Sequence, residues 1–268
     1  MRKNVDIKWY QTLDSTNTQA AREISQAPDG TVWIADFQTA GRGQRGNRWE
    51  SAKCENLTFS ILFKPIFLSP AQQFAISEVA AIGVCRYLCS KGLPAQIKWP
   101  NDIYIGNKKI CGMLIEHSIS GANLAGSIVG IGLNLNQREF SSDAPNPTSL
   151  LLEAEALASS NVPEGTYDRR EELSSLLGYI FTAYGELEDG FAAELNQEYL
   201  DCLYRFNQWH RFIEIDTNAP ADMPVEKMAA GRTITARITG IDPYGCVILE
   251  HQDGTVQSYP FKGIRYII

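Results

Sequence analysis

Hydrophobic and polar positions change rhythm several times along the 268-residue chain. Val5–Tyr10 is short and apolar enough for a strand. "DSTNTQAAREIS" follows. Its Asp14, Ser15 and Thr16 are all helix caps, and Thr16 and Gln19 stand at capping-box spacing. Thr31–Gln38 and Leu57–Phe63 are β-branched and aromatic, which predicts two strands. Ser69 and Pro70 open a helix by cap and first-turn proline, and Gly92 closes it. Gln96–Trp99 and Asp102–Ile105 read as extended around Pro100, and Gly106–Lys109 as a turn. Ile110–Ile119 and Leu124–Asn136 predict two long strands joined by the hairpin signal "SGAN". Residues 148–158 and 167–209 carry helical pattern and many acids. The reading is α+β: a mixed, mainly antiparallel central sheet covered by helices. From Arg232 the texture changes to period-two alternation punctuated by tight turns. The chain therefore divides into a main domain, 1–225, and a small β-domain, 226–268. A unit of about forty residues seldom folds well alone, so it is expected to pack on the rest.

Composition narrows the classes. Hydrophobic residues make up 44% and charged residues 21%, enough for a normal core. The net charge of −7 argues against a protein held to nucleic acid by general attraction, so no DNA partner is expected. The six cysteines contain no Cys-x-x-Cys pair, and the three histidines are scattered, so no metal site is expected. Buried reduced thiols, no apolar leader and no stretch of membrane-span length together suggest a cytoplasmic protein with no membrane partner.

The chemistry starts at "TAGRGQRGNRWES", Thr39–Ser51. Gly41-x-Gly43-x-x-Gly46 spells a dinucleotide-binding fingerprint, but that site needs a helix after the loop and an acid about twenty residues on. A predicted strand follows instead, and the window "FSILFKPIF" has no acid. No P-loop is spelled either. Two readings stay open for the loop itself. It is an ordinary surface loop with solvated arginines, or its glycines bring backbone N–H groups to an anion beside Arg42, Arg45 and Arg48, with Trp49 as a flat wall.

Two later stretches bear on that choice. In "QIKWPND" Lys98 ends a strand and is stiffened by Trp99-Pro100, which suits a meeting with an anion as well as plain solvation. Asp102 reads as a turn residue or a ligand contact. In "SIVGIGLNLN" Gly130 and Gly132 weaken a strand, which makes sense if a ligand or another backbone lies against it; a glycine-containing core strand ending in asparagines is the alternative.

Taken in order, Gly41-Arg42-Gly43-x-Arg45-Gly46 with Trp49, Lys98–Asp102, Gly112–Glu116 and Gly130–Asn134 resemble the motifs of biotin–protein ligases, and Asp14–Ala20 resembles their first ligand-binding segment. The resemblance covers nearly the whole chain. It implies a class II synthetase-like ligase fold with a C-terminal SH3-like β-barrel. It implies an enzyme that forms biotinyl-5′-AMP from biotin and ATP with Mg²⁺, then passes biotin to one lysine of a biotin carboxyl carrier protein. By this similarity Ser15, Thr16, Asn17 and Gln38 bind the biotin head, and Gly41, Arg42 and Gly43 fold over its chain. Lys98 contacts the carboxylate and α-phosphate, and Lys98, Arg42 and Arg45 are the catalytic cations. Gly112 lines the biotin side; Arg45, Trp49, Asn101, Gly130 and Asn134 belong to the nucleotide side.

Two departures go with the resemblance. Gln44 stands where members often carry arginine, leaving the loop one cation fewer to retain the intermediate. Some bacterial members begin with a DNA-binding domain and act as repressors. Here the first ligand motif starts at Asp14, so a form without a repressor role is expected. The competing enzyme is a lipoate or octanoate ligase or transferase. A non-catalytic ligand sensor is the competing class, and a homodimer through an exposed strand such as Leu124–Asn136 is a further expectation.

Overall fold

A computed structural model of the chain describes residues 5–44, 47–121, 123–141, 146–157, 166–215, 230–261 and 263–267. Seven strands form the first sheet: β1 (Ile7–Tyr10), β2 (Val32–Ala35), β3 (Leu57–Phe63), β4 (Ala95–Lys98), β5 (Asp102–Ile105), β6 (Lys108–Ser120) and β7 (Asn123–Leu133). Their spatial order is β1-β2-β3-β7-β6-β5-β4. β1 and β2 run parallel and the other neighbours antiparallel. The strands expected over Leu57–Phe63 and Asp102–Ile105 have those bounds, and the expected α+β class is what forms.

Period two decides which face each residue serves. On β3 the odd positions Leu57, Phe59, Ile61 and Phe63 join the main core with α2 (Phe74–Ser90). The even position Leu62 joins Trp33, Ile128 and Ala20 of α1 (Thr16–Glu23) in a smaller core. Thr58 and Ser60 continue that α1 face. On β7 Val129, Ile131 and Leu133 enter the main core and Ile128 the smaller one. Gly130 and Gly132 therefore lie on the α1 face, which becomes a floor without side chains. α3 (Leu150–Leu157), α4 (Arg169–Glu188) and α5 (Ala192–Asp201) complete the helices, and Arg86 of α2 ties α4 and α5 through Glu186 and Glu198 at 2.9 and 2.6 Å.

Several expectations shift. The α1 cap is Ser15, not Thr16, and Gln19 donates to Glu23 at 2.6 Å rather than closing a capping box. Helical structure stops at Asp201, short of Trp209; Arg205 and Asn207 sit at φ 64° and 55°, left-handed values that end a helix. β7 lies between β3 and β6, so it has no free edge to offer a second copy. Of the cysteines, Cys85 and Cys111 are buried but Cys54 and Cys89 are exposed, and all six are free thiols.

The second sheet has order β11-β10-β9-β8-β12, all antiparallel: β8 (His210–Ile215), β9 (Ala230–Ile241), β10 (Val247–His251), β11 (Val256–Tyr259) and β12 (Ile264–Tyr266). Among the described residues no pairing joins β11 to β12 to close a barrel. The expected division at residue 225 falls in 216–229, outside the described residues, and β8 brings the second sheet back to His210. This sheet packs on the first at Trp99, whose indole N–H donates to the Gly245 carbonyl at 2.8 Å and meets Phe261 edge-on at 5.6 Å. Among the described residues no helix is long and apolar enough to cross a membrane.

Candidate active site

A cross-strand row explains the floor. Lys98 pairs with Asp102, Asp102 with Gly112, Gly112 with Gly132, and Gly132 with Thr58. A second row runs Leu114, Gly130, Ser60. Residues directly opposite share a face, so three glycines, Gly112, Gly130 and Gly132, lie together. A Cβ on Gly130 would stand 2.1 Å from Asn17 Oδ1, and one on Gly132 2.2 Å from the Trp49 ring. Only glycine allows both side chains to reach this surface.

At the Gly130 end, polar groups are held in a buried network. Ser15, Thr16 and Asn17 are each 3% exposed. Ser15 caps α1, which fixes the next two residues over the floor. Gln38 Oε1 accepts from the Thr16 N–H at 2.7 Å. The Ser60 hydroxyl bridges Thr16 Oγ1 and Asn17 Oδ1 at 2.8 and 2.6 Å. Asn17 Nδ2 donates to the Leu114 carbonyl at 3.1 Å and to Glu116 at 2.8 Å. Such a set of fixed donors and acceptors suits a small polar ring.

At the Gly132 end the two arms of the glycine-arginine loop pair with each other. Arg42 bridges Arg48, Gly43 N–H donates to Asn47 at 2.7 Å, and Trp49 N–H to Gly41 at 3.1 Å. Trp49 is thereby laid onto Gly132 and Gly112. Its indole Nε1 is buried with no acceptor, which costs about 1–3 kcal/mol. The cleft beneath is left with about 60 Å³, against roughly 300–1,000 Å³ for small-molecule sites. The Trp49 ring lies directly on the bare backbone of Gly132 and Gly112 and takes up much of this end of the cleft. Arg42 is half exposed and its guanidinium pairs with Glu116 at 2.6 Å.

Most expected site residues come together here. Ser15, Thr16, Asn17, Gln38, Arg42, Gly43, Trp49, Asn101, Gly112 and Gly130 line the cleft, and Gly41 supports Trp49 from behind; Gly130 stands at the Asn17 end and Gly112 at the Trp49 end, the reverse of the sides expected of them. Arg45 and Gly46 lie outside the described residues. Lys98 stands at the end of the row but does not line the cleft. Its ammonium lies 4.9 and 5.1 Å from the ring centres of Tyr104 and Tyr266. Burial pushes its pKa below the usual lysine value, opposed by Asp102 and reinforced by Lys109 and Arg205. Asn134 is buried, donating to Thr148 O at 2.9 Å, and shapes the turn after β7 rather than the cleft. Ser60 and Lys109 also join the site although no motif marks them, and Glu116, the last residue of the Gly112–Glu116 stretch, joins it as the partner of Asn17 and Arg42. Thr58 and Ser60, polar at i and i+2 in an apolar strand, were the readable signal for the first.

Residues 9–134 match the Biotin/lipoate A/B protein ligase family. The "Bifunctional ligase/repressor BirA" of Bacillus spizizenii is 30% identical across 93% of this chain and 71% of that protein. The chain belongs to the biotin–protein ligase family. The Salmonella typhimurium protein of the same description is 29% identical over 92% of this chain and 70% of its own length. In fold, the chain is similar to a biotin protein ligase from Aquifex aeolicus solved with biotin and ATP, at a TM-score of 0.72, 22% identity, and coverage of 98% and 99% of the two chains. Residues of Asp14–Ala20, Gly112–Glu116 and Gly130–Asn134, with Arg42 and Trp49, build the glycine floor and the two ends of the cleft.

Proposed function

We propose that the chain is an ATP-dependent biotin–protein ligase that forms biotinyl-5′-AMP and then transfers biotin to a lysine of a biotin carboxyl carrier protein. The observation that carries the reading is the two-ended glycine floor in a chain of this family. One end is a fixed network of amides and hydroxyls around Asn17. The other is a cationic loop with an aromatic ring over bare backbone. The first suits the ureido head, whose N–H and C=O groups need both acceptors and donors. The second suits an adenylate, with Trp49 lifted off Gly132 to cover the base.

The chemistry joins two anions. The carboxylate attacks the α-phosphorus, pyrophosphate leaves, and the lysine amine later displaces AMP from the mixed anhydride. Fixed cations that offset the gathering negative charge are the usual main source of catalysis in such transfers. Arg42 and Lys98 fill that role in this reading, with Arg45 from the loop. Mg²⁺ in this reading arrives on the triphosphate as part of the substrate. The lysine of the carrier needs only positioning against the anhydride. The free thiols suit a cytoplasmic setting. An edge open for pairing with a second copy is β1, not β7.

Biotin-dependent ATP–pyrophosphate exchange tests the reading. Exchange with biotin and none with lipoate or octanoate is expected; exchange with lipoate alone overturns it.

A further inference from the structure

Lys109 is the cation that the motifs did not single out, and it lines the cleft. By strict alternation on β6, Lys109 and Gly112 fall on opposite faces. The register slips between Ile103 and Tyr104, so Lys109 pairs with Tyr104 while Gly112 pairs with Asp102. Tyr104 and Asp102 share a face, and the bulge thus turns Lys109 onto the floor beside Gly112. Its Cε and Nζ are each 3.2 Å from where a Gly112 Cβ would stand. The ammonium lies 5.6 Å from the Trp49 ring centre and 2.7 Å from Asp102 Oδ1. Its backbone is pinned on both sides: Lys109 N–H donates to Asn146 O at 2.8 Å, and Thr148 N–H to Lys109 O at 2.9 Å. Only the end of the side chain is free to change partner.

We infer that Lys109 binds the nucleotide phosphates, and that Asp102 holds its ammonium in reserve while the cleft is empty. The inference rests on the ligase reading above. Position assigns the ligand: Lys109 stands at the Trp49 end, across Gly112 from Gly132, away from the Asn17 network. Among the described residues the two cations that line the cleft are matched in the same way, Arg42 on Glu116 and Lys109 on Asp102. An entering anion therefore takes over a cation already in place. A phosphate that draws Lys109 away must outweigh the Asp102 contact, so Asp102 weakens nucleotide binding while it orders the empty cleft.

The test compares wild type, Lys109→Gln, Lys109→Arg and Asp102→Asn in biotin-dependent ATP–pyrophosphate exchange, with ATP varied at saturating biotin. Biotin binding without ATP is measured by calorimetry on the same proteins. Lys109→Gln is expected to raise the KM for ATP about tenfold or more, the scale of one charge-assisted hydrogen bond, with biotin affinity within about twofold of wild type. Lys109→Arg should recover most of the loss, which a merely structural role does not predict. Asp102→Asn should lower the KM for ATP. An unchanged KM for ATP in Lys109→Gln overturns the inference while wild-type exchange leaves the ligase reading standing. A raised KM in Asp102→Asn overturns the reserve role. Absence of exchange in the wild type sinks the ligase reading, and this inference with it.

Discussion

Gly130→Ala puts the floor under direct strain. The new Cβ would stand 2.1 Å from Asn17 Oδ1, 2.9 Å from its Cγ and 3.1 Å from its Nδ2, so the amide oxygen must move by about 1.3 Å or more to reach ordinary contact. That amide carries bonds of 2.6 Å from Ser60, 3.1 Å to Leu114 O and 2.8 Å to Glu116, and a shift of this size breaks or stretches all three. Asn17 is 3% exposed, so water cannot replace them. A buried polar group left unpaired costs about 1–3 kcal/mol, which lowers the melting temperature by roughly 2–10 °C for a chain of this size. Biotin affinity should fall about ten- to a hundredfold, since the same amide is its partner and the methyl occupies the floor. Gly178→Ala is the control. It lies within α4 with nothing within 4 Å of its Cβ, so it should stabilise by about 0.5–1 kcal/mol and leave biotin binding unchanged. Thermal melts and biotin calorimetry on both variants decide the matter. Wild-type biotin affinity in Gly130→Ala would refute the placement of Asn17 over the ligand floor.

Three further outcomes are expected. Trp49→Ala removes the ring that lies on Gly132 and Gly112, so the KM for ATP should rise while biotin binding without ATP changes little; an unchanged KM for ATP contradicts the placement of the ring at the nucleotide end. Lys98→Ala should cut adenylate formation by about a hundredfold with the fold intact by circular dichroism, and unchanged turnover removes Lys98 from the mechanism. Glu78 is buried with Asn196 donating at 2.7 Å, and burial raises its pKa from 4.5 to about 7. The folded state holds this proton more tightly than the unfolded chain. The group's contribution is therefore full below about pH 4.5 and is lost as the pH rises to about 7, roughly 3 kcal/mol in all. Glu78→Gln should melt above wild type at pH 8, with the gap closing toward pH 5; equal melting at pH 8 contradicts the assignment.

What the sequence discloses follows from locality. Gly130 and Gly132 are legible because two glycines in a β-branched strand ask for a close neighbour, and Ser15–Asn17 because a cap precedes a helix. The Thr39–Ser51 loop is legible as something other than a dinucleotide site because β3, not a helix, follows it. Lys109 is hidden by a bulge that no local pattern marks. The resting place of Lys98 depends on Tyr266, far along the chain and on the second sheet. The indole on Gly132 likewise depends on a pairing between Gly41 and Trp49 that composition does not announce. β8 escapes notice because six residues of moderate alternation precede a stretch of different character.

Transfer of labelled biotin to a biotin carboxyl carrier domain, with and without ATP, tests the central claim most directly. Label is expected on the carrier lysine only when ATP is present, and is lost when Gly130 is replaced by alanine at limiting biotin. Label that appears without ATP, or a carrier left unlabelled while ATP, Mg²⁺ and biotin are all supplied, contradicts it.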